Sequence, residues 1–185
     1  MKIIVFAVIM IFVVMFISCE KEVSIQNLEN YGYDNWPGKN GDVKTDIEIA
    51  DQFVTAYDMS LRSGSSETYL RFEIALNEND TTKQGYLHLR IFPTIEEAQL
   101  ALVEYLDIIT AFPKPPRLTN EDFNAGDVAF GKKFDGNVKM CFTRNNVFVI
   151  IYAPTGKAGE IAHKIDIAVQ NAPEWKEGME HPKFI

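Results

Sequence analysis

Twice in this chain a period of two gives way to a helical period at a Pro-Thr pair, and this repeated switch limits the fold more than any other feature. Leu70, Phe72, Ile74 and Leu76 alternate with Arg71, Glu73 and Ala75, and Leu87, Leu89 and Ile91 alternate with His88 and Arg90. Such alternation puts one set of side chains on the buried face of a strand. The polar stretch Asn77 to Gln84 joins the two as a hairpin. Beyond Pro93, Thr94 and Glu97 form a capping box, and Ala98, Leu102, Tyr105, Leu106 and Ile109 make a helical stripe that stops before Pro113.

Toward the C-terminus the order recurs. Gly126 to Phe134 reads as a strand, and Val138 to Arg144 pairs with Val147 to Ala153 across Asn145-Asn146, two residues that tolerate the positive φ of a tight turn. Pro154-Thr155 then opens a helix with Ile161, Ile165, Ala168 and Val169 on one face. Ile91-Phe92-Pro93-Thr94 and Tyr152-Ala153-Pro154-Thr155 are thus parallel junctions, as an internal strand-strand-helix duplication would give. Pro-Thr is also ordinary strand-ending punctuation.

Residues 47–61 read both ways. Ile47, Ala50, Val54, Tyr57 and Leu61 have helical spacing, with Thr45 and Glu48 as a capping box, whereas Phe53, Tyr57, Met59 and Leu61 share one face of a strand. The strand is preferred because it gives the first unit the three strands of the second. The expected fold class is α+β: an antiparallel sheet of about five or six strands with two main helices packed on one face.

Ahead of this body lies Lys2, an apolar run from Ile3 to Ile17, then Ser18 and Cys19. A helix rising about 1.5 Å per residue would carry that run only about 22 Å, short of a hydrocarbon core of roughly 30 Å. A positive start, a short apolar run and no basic stop-transfer cluster make it a signal peptide. Phe16-Ile17-Ser18-Cys19 resembles the lipobox of bacterial lipoproteins, with Phe16 where Leu is more usual. The resemblance covers the leader alone. It implies lipid transfer to the Cys19 thiol, cleavage before Cys19, and a mature protein held on the cell-envelope membrane by acyl chains such as palmitate. Glu20 in second place resembles lipoproteins sent onward to an outer membrane where the bacterium has one.

The chain then divides into a signal peptide over 1–18, a lipidated N-terminus with tether and lead-in loop over 19–44, a single α+β domain over 45–172 and a C-terminal tail over 173–185. Losing Lys2 with the leader moves the net charge from −8 to −9. That balance argues against nucleic acid and against an electrostatic hold on anionic lipid. With Cys19 acylated, Cys141 has no intramolecular disulfide partner and reads as a small strand hydrophobe.

Few motifs carry chemistry. Gly126-Asp127-Val128-Ala129-Phe130-Gly131-Lys132 has the spacing of a phosphate-binding loop, but Lys133 stands where Ser or Thr should hold magnesium, and strand-like sequence follows. Glu160 and His163 lie three apart on a helix without further ligands in view. Asn77-Glu78-Asn79-Asp80 resembles a calcium loop, but lacks the sixth-place Gly and has His88 where the closing Glu belongs. No nucleophile-elbow motif is present. His88 beside Arg90 on the outer strand face is either an acid/base pair or surface. No metal and no cofactor is expected.

Tyr31, Tyr33 and Trp36 fall within six residues of turn-forming sequence beside Asp34 and Asn35. They either stack on sugar rings or dock a partner, or fold back over the core. In the tail, Trp175 reads as a packing pin across the domain, or as part of one aromatic surface with Phe184 and that loop. The sequence therefore points to a lipid-anchored envelope protein acting as a non-catalytic binding or accessory module, with a glycan or an envelope protein as partner. The alternatives are an envelope hydrolase with a site assembled from distant residues and a structural component of an envelope assembly.

Overall fold

The computed structural model describes residues 41–49, 56–61, 68–74, 85–109, 115–118, 123 and 125–185. Its elements follow one another as β1 (Ala56–Leu61), β2 (Thr68–Ile74), β3 (Gly85–Ile91), α1 (Ile95–Ile109), β4 (Val128–Phe134), β5 (Asn137–Arg144), β6 (Val147–Pro154) and α2 (Thr155–Asn171). The strands form one six-stranded sheet in the order β1-β2-β3-β6-β5-β4, antiparallel at every junction. The α+β class, the antiparallel pairing and the strand number are as the sequence suggests. The ambiguous stretch is strand over Ala56–Leu61, while residues 50–55 lie outside the described residues, as does the Asn77 to Gln84 turn.

Turn chemistry closes the second meander. Asp135 (φ 41°) and Gly136 (φ 83°) link β4 to β5, the backbone a two-residue hairpin asks of an Asp-Gly pair. Asn145 (φ 51°) turns β5 into β6, but Asn146 does not share its positive φ. Asn146 is fully buried instead, and works through its side chain. Its Oδ1 accepts from the Lys44 amide at 2.7 Å, and its Nδ2 donates to the carbonyls of Lys44 and Phe92, both at 2.9 Å.

The helices do not share a face, which corrects the sequence reading. Val147, Val149, Ile151 and Ala153 of β6 pack in one cluster with Ala158, Ile161, Ala162, Ile165 and Val169 of α2. Phe148 and Ile150 point the other way and pack with Ala98, Ala101, Leu102, Val103 and Leu106 of α1. The pleat explains the split: Phe92, just before the first Pro-Thr, belongs to the α1 cluster, whereas Ala153, just before the second, belongs to the α2 cluster. Each helix turns back over the side to which that residue points. A two-fold axis relating antiparallel β3 and β6 would keep both helices on one side, so the two junctions are not related by that symmetry. Their threonines differ too. Thr94 Oγ1 caps α1 by accepting from the Glu97 amide at 3.2 Å, while Thr155 Oγ1 donates to the Gly136 carbonyl at 2.9 Å.

The tail closes the α2 side. The Thr45 amide donates to the Pro173 carbonyl, Trp175 to Val43, Ile47 to Lys183 and Ile185 back to Ile47, at 2.7–3.0 Å. Phe184, 5% exposed, lies in the α2 cluster with Ile47. Phe184 rather than Trp175 is therefore the pin. Trp175 is half-buried and its indole donates to the Glu180 carbonyl at 2.9 Å.

Candidate functional site

Register aligns side chains on the α1 side of the sheet into three cross-strand lines. Tyr86 of β3 faces Tyr152 of β6, which faces Lys139 of β5. Arg71 of β2 faces His88, which faces Ile150, and Tyr69 faces Arg90, which faces Phe148. Tyr86, with Tyr105, packs against the α1 cluster, and the Tyr69, His88, Tyr86 and Tyr152 rings are each half-buried.

These four rings touch in sequence. Tyr69 meets His88 edge-on, with centroids 5.6 Å apart and planes at 81°. His88 and Tyr86 are tilted at 4.9 Å, and Tyr86 stacks on Tyr152 at 5.5 Å and 24°. The spacing follows from neighbouring strands lying about 4.8 Å apart, and such offset pairs are favourable beyond their buried area. On the helix side, Tyr105 packs edge-to-face on Phe148 at 5.6 Å, and Lys139 Nζ lies 5.8 Å from the Tyr105 ring centre. Arg90 extends over Phe92 and Phe148, 5.1 and 5.8 Å from their centres. The result is an aromatic floor with cations among its rings.

Burial, reinforced by the positive charges of Arg71 and Lys139, lowers the His88 pKa to about 4. Its Nε2 is buried and has no hydrogen-bond partner among the described residues. The ring is neutral at physiological pH. Burial likewise raises the Tyr105 hydroxyl pKa, with Cys141 and Tyr86 adding to the shift.

The motif-like stretches go elsewhere. Gly131-Lys132 lies within β4, and Lys132 Nζ sits 5.2 Å from the centre of the Phe134 ring, so the phosphate-loop spacing falls on a strand. Gly126 (φ 74°) serves close packing: a Cβ there would collide with the Thr143 carbonyl. Asp127 joins Asp166 in holding Arg144, which fits a structural clamp. Glu160 is paired with Lys157 and Lys164, each at 3.0 Å, and His163 is exposed. Among the described residues no three His, Cys, Asp or Glu side chains gather where a metal could be held. Cys141 is free and buried on β5, and its thiol pKa is raised by that burial.

Cys19, Tyr31, Tyr33 and Trp36 lie outside the described residues, so the loop and its junction with Trp175 do too. Among the described residues no helix is long and apolar enough to cross a membrane. Tyr69, Tyr86 and Tyr152 escaped the sequence reading because they sit on three strands whose mutual register no local pattern encodes. The available signal was the parity of Tyr69 and Tyr86, each in phase with the polar positions of its strand, whereas β6 is apolar throughout and gives none for Tyr152. No protein family, curated protein or solved structure matches this chain.

Proposed function

We propose that this protein is a lipid-anchored component of the bacterial cell envelope whose α+β domain is a non-catalytic binding module, and that the Tyr69–His88–Tyr86–Tyr152 floor is its binding face. The contiguous row of half-buried rings carries the reading. Aromatic rings with polar tips combine apolar area with hydrogen-bonding groups, which suits a surface that meets a partially polar ligand such as a sugar. His88 supports binding over hydrolysis. A catalytic histidine is oriented and charged by a carboxylate, whereas the neighbours that shift His88 are the cations Arg71 and Lys139.

The anchor rests on the lipobox-like Phe16-Ile17-Ser18-Cys19. Radiolabelled palmitate should enter the full chain and fail to enter Cys19→Ala; equal labelling of both refutes the anchor. For the binding face, the detergent-solubilised full chain should co-sediment with isolated envelope polysaccharide. Tyr86→Ser with Tyr152→Ser should cut the bound fraction about tenfold. Undiminished binding by that variant, or no binding by the wild type, refutes the face.

A further inference from the structure

We infer that an internal water molecule is bound between α1 and β5, held by Gln99 and Thr143. Gln99 is 1% exposed and Thr143 is wholly enclosed. Neither end of the Gln99 amide, nor the Thr143 hydroxyl, has a hydrogen-bond partner among the described residues. A polar group taken out of water without a replacement partner weakens the fold, so three such atoms in one packing layer call for an occupant that serves them.

The fold brings the two side chains together. α1 begins beside the β5–β6 turn, where the Phe92 amide donates to the Asn146 carbonyl, and runs toward the Lys139 end of β5, where Tyr105 meets both Lys139 and Phe148. Gln99 precedes Tyr105 by six residues, about 9 Å of helix back toward the turn. On β5 the side facing α1 carries Lys139, Cys141 and Thr143, and Thr143 lies about 7 Å beyond Cys141 in that same direction. Helical phase agrees with this placement. Gln99 is turned about 120° from Tyr105, so while Tyr105 leans over Phe148 of β6, Gln99 faces the β5 side.

Their surroundings are apolar. Thr143 stands between Val128 and Phe148 in the register, and on α1 Gln99 is followed by Leu102 and Val103; all four belong to the α1 cluster. None of these side chains donates or accepts a hydrogen bond. A direct bond between the two residues would satisfy the hydroxyl and one end of the amide, leaving the other end unmet. A buried water typically makes about three hydrogen bonds, which matches the Gln99 Nε2, the Gln99 Oε1 and the Thr143 Oγ1.

A high-resolution crystal structure of the full chain in detergent should show an ordered water about 2.7–3.2 Å from the Thr143 hydroxyl and from at least one end of the Gln99 amide. A Gln99 amide bonded straight to Thr143 or to the main chain, with no water between them, overturns the inference. Urea unfolding of the full chain supplies a second measurement. Gln99→Met keeps the length of the side chain and Thr143→Val keeps its shape, so each removes one water ligand with little change in packing. With the water in place, each single variant should raise the unfolding constant about three- to tenfold, and the double variant should raise it by less than the product of the two. If the groups hold nothing, deleting either one relieves a penalty. An unfolding constant that falls in both single variants therefore overturns the site.

Discussion

The Asn146 side-chain amide donates to the carbonyl of Phe92 at 2.9 Å across 54 residues, tying the β5–β6 turn to the junction between β3 and α1. The same nitrogen and its partner oxygen also hold both backbone groups of Lys44. A single buried amide thus joins three segments.

Asn146→Ala would strand the Lys44 amide, the Lys44 carbonyl and the Phe92 carbonyl inside the protein. Unsatisfied buried groups cost about 1–3 kcal/mol each, and partial rehydration limits their sum, so a loss of about 3 kcal/mol is expected in urea unfolding. Hydrogen exchange gives the local check. The Lys44 amide should lose protection well beyond the global change, and unchanged protection there would contradict the assigned bond.

Arg144 is held by two carboxylates at once. Its Nε and Nη2 reach Asp166 at 2.6 and 3.0 Å, its Nη1 reaches Asp127 at 2.8 Å, and Nη2 also donates to the Gly126 carbonyl at 3.0 Å. Arg144→Met leaves that pair without its counter-charge, for an expected cost of about 3–5 kcal/mol at neutral pH. Burial already holds the Asp127 carboxyl above its usual range despite Arg144. A raised carboxyl pKa makes the folded state the better proton binder, so its contribution is greatest in acid and is lost as pH rises through the folded value. Removing Arg144 raises the carboxyl further. The deficit of the variant should therefore shrink as pH falls from about 7 toward 5, and a deficit that is flat with pH would refute the charge account.

His88 gives an opposite pH signature. Its folded pKa of about 4 lies below the ordinary 6.5, so its contribution is complete above 6.5 and is lost as pH falls toward 4. The ring is half-exposed, and solvent screening reduces the expected loss to about 1–2 kcal/mol. His88→Asn should flatten that part of the stability profile. The carbon-bound imidazole protons, followed by NMR, should titrate near 4, and a midpoint near 6.5 would contradict the burial of the ring.

Cys141 offers a chemical check on packing. It is fully enclosed between β5 and α1, and burial disfavours its thiolate. An aromatic disulfide reagent should leave it untouched in the native protein and label it after denaturation. Rapid labelling in the native state would mean that α1 does not cover β5.

The sheet and both helices were legible because Leu87, Leu89 and Ile91 alternate cleanly and because Leu102 and Leu106, like Ile161 and Ile165, fall at helical spacing. The side on which each helix packs was hidden in one residue of phase, Phe92 against Ala153. A hint existed in the unbroken apolar run Val147-Phe148-Val149-Ile150-Ile151, which belongs to a strand covered on both sides. The aromatic floor was not legible, because Tyr69, Tyr86 and Tyr152 become neighbours only through pairings that span much of the chain. His88 lies on the same strand as Arg90, but its protonation is set first by burial and then by Arg71 and Lys139 on other strands, which its local sequence does not reveal.

The backbone bonds between residues 43–49 and the tail join the two ends of the domain. Lys44 meets Asn146 across 102 residues, and Ile47 waits longer still for Lys183 and Ile185. Residues 43–49 have their full set of partners only when both the β5–β6 turn and the tail are in place. Losing the chain from Lys183 onward would therefore strip Ile47, next to the proposed tether, of its backbone partners at the far end of the sequence.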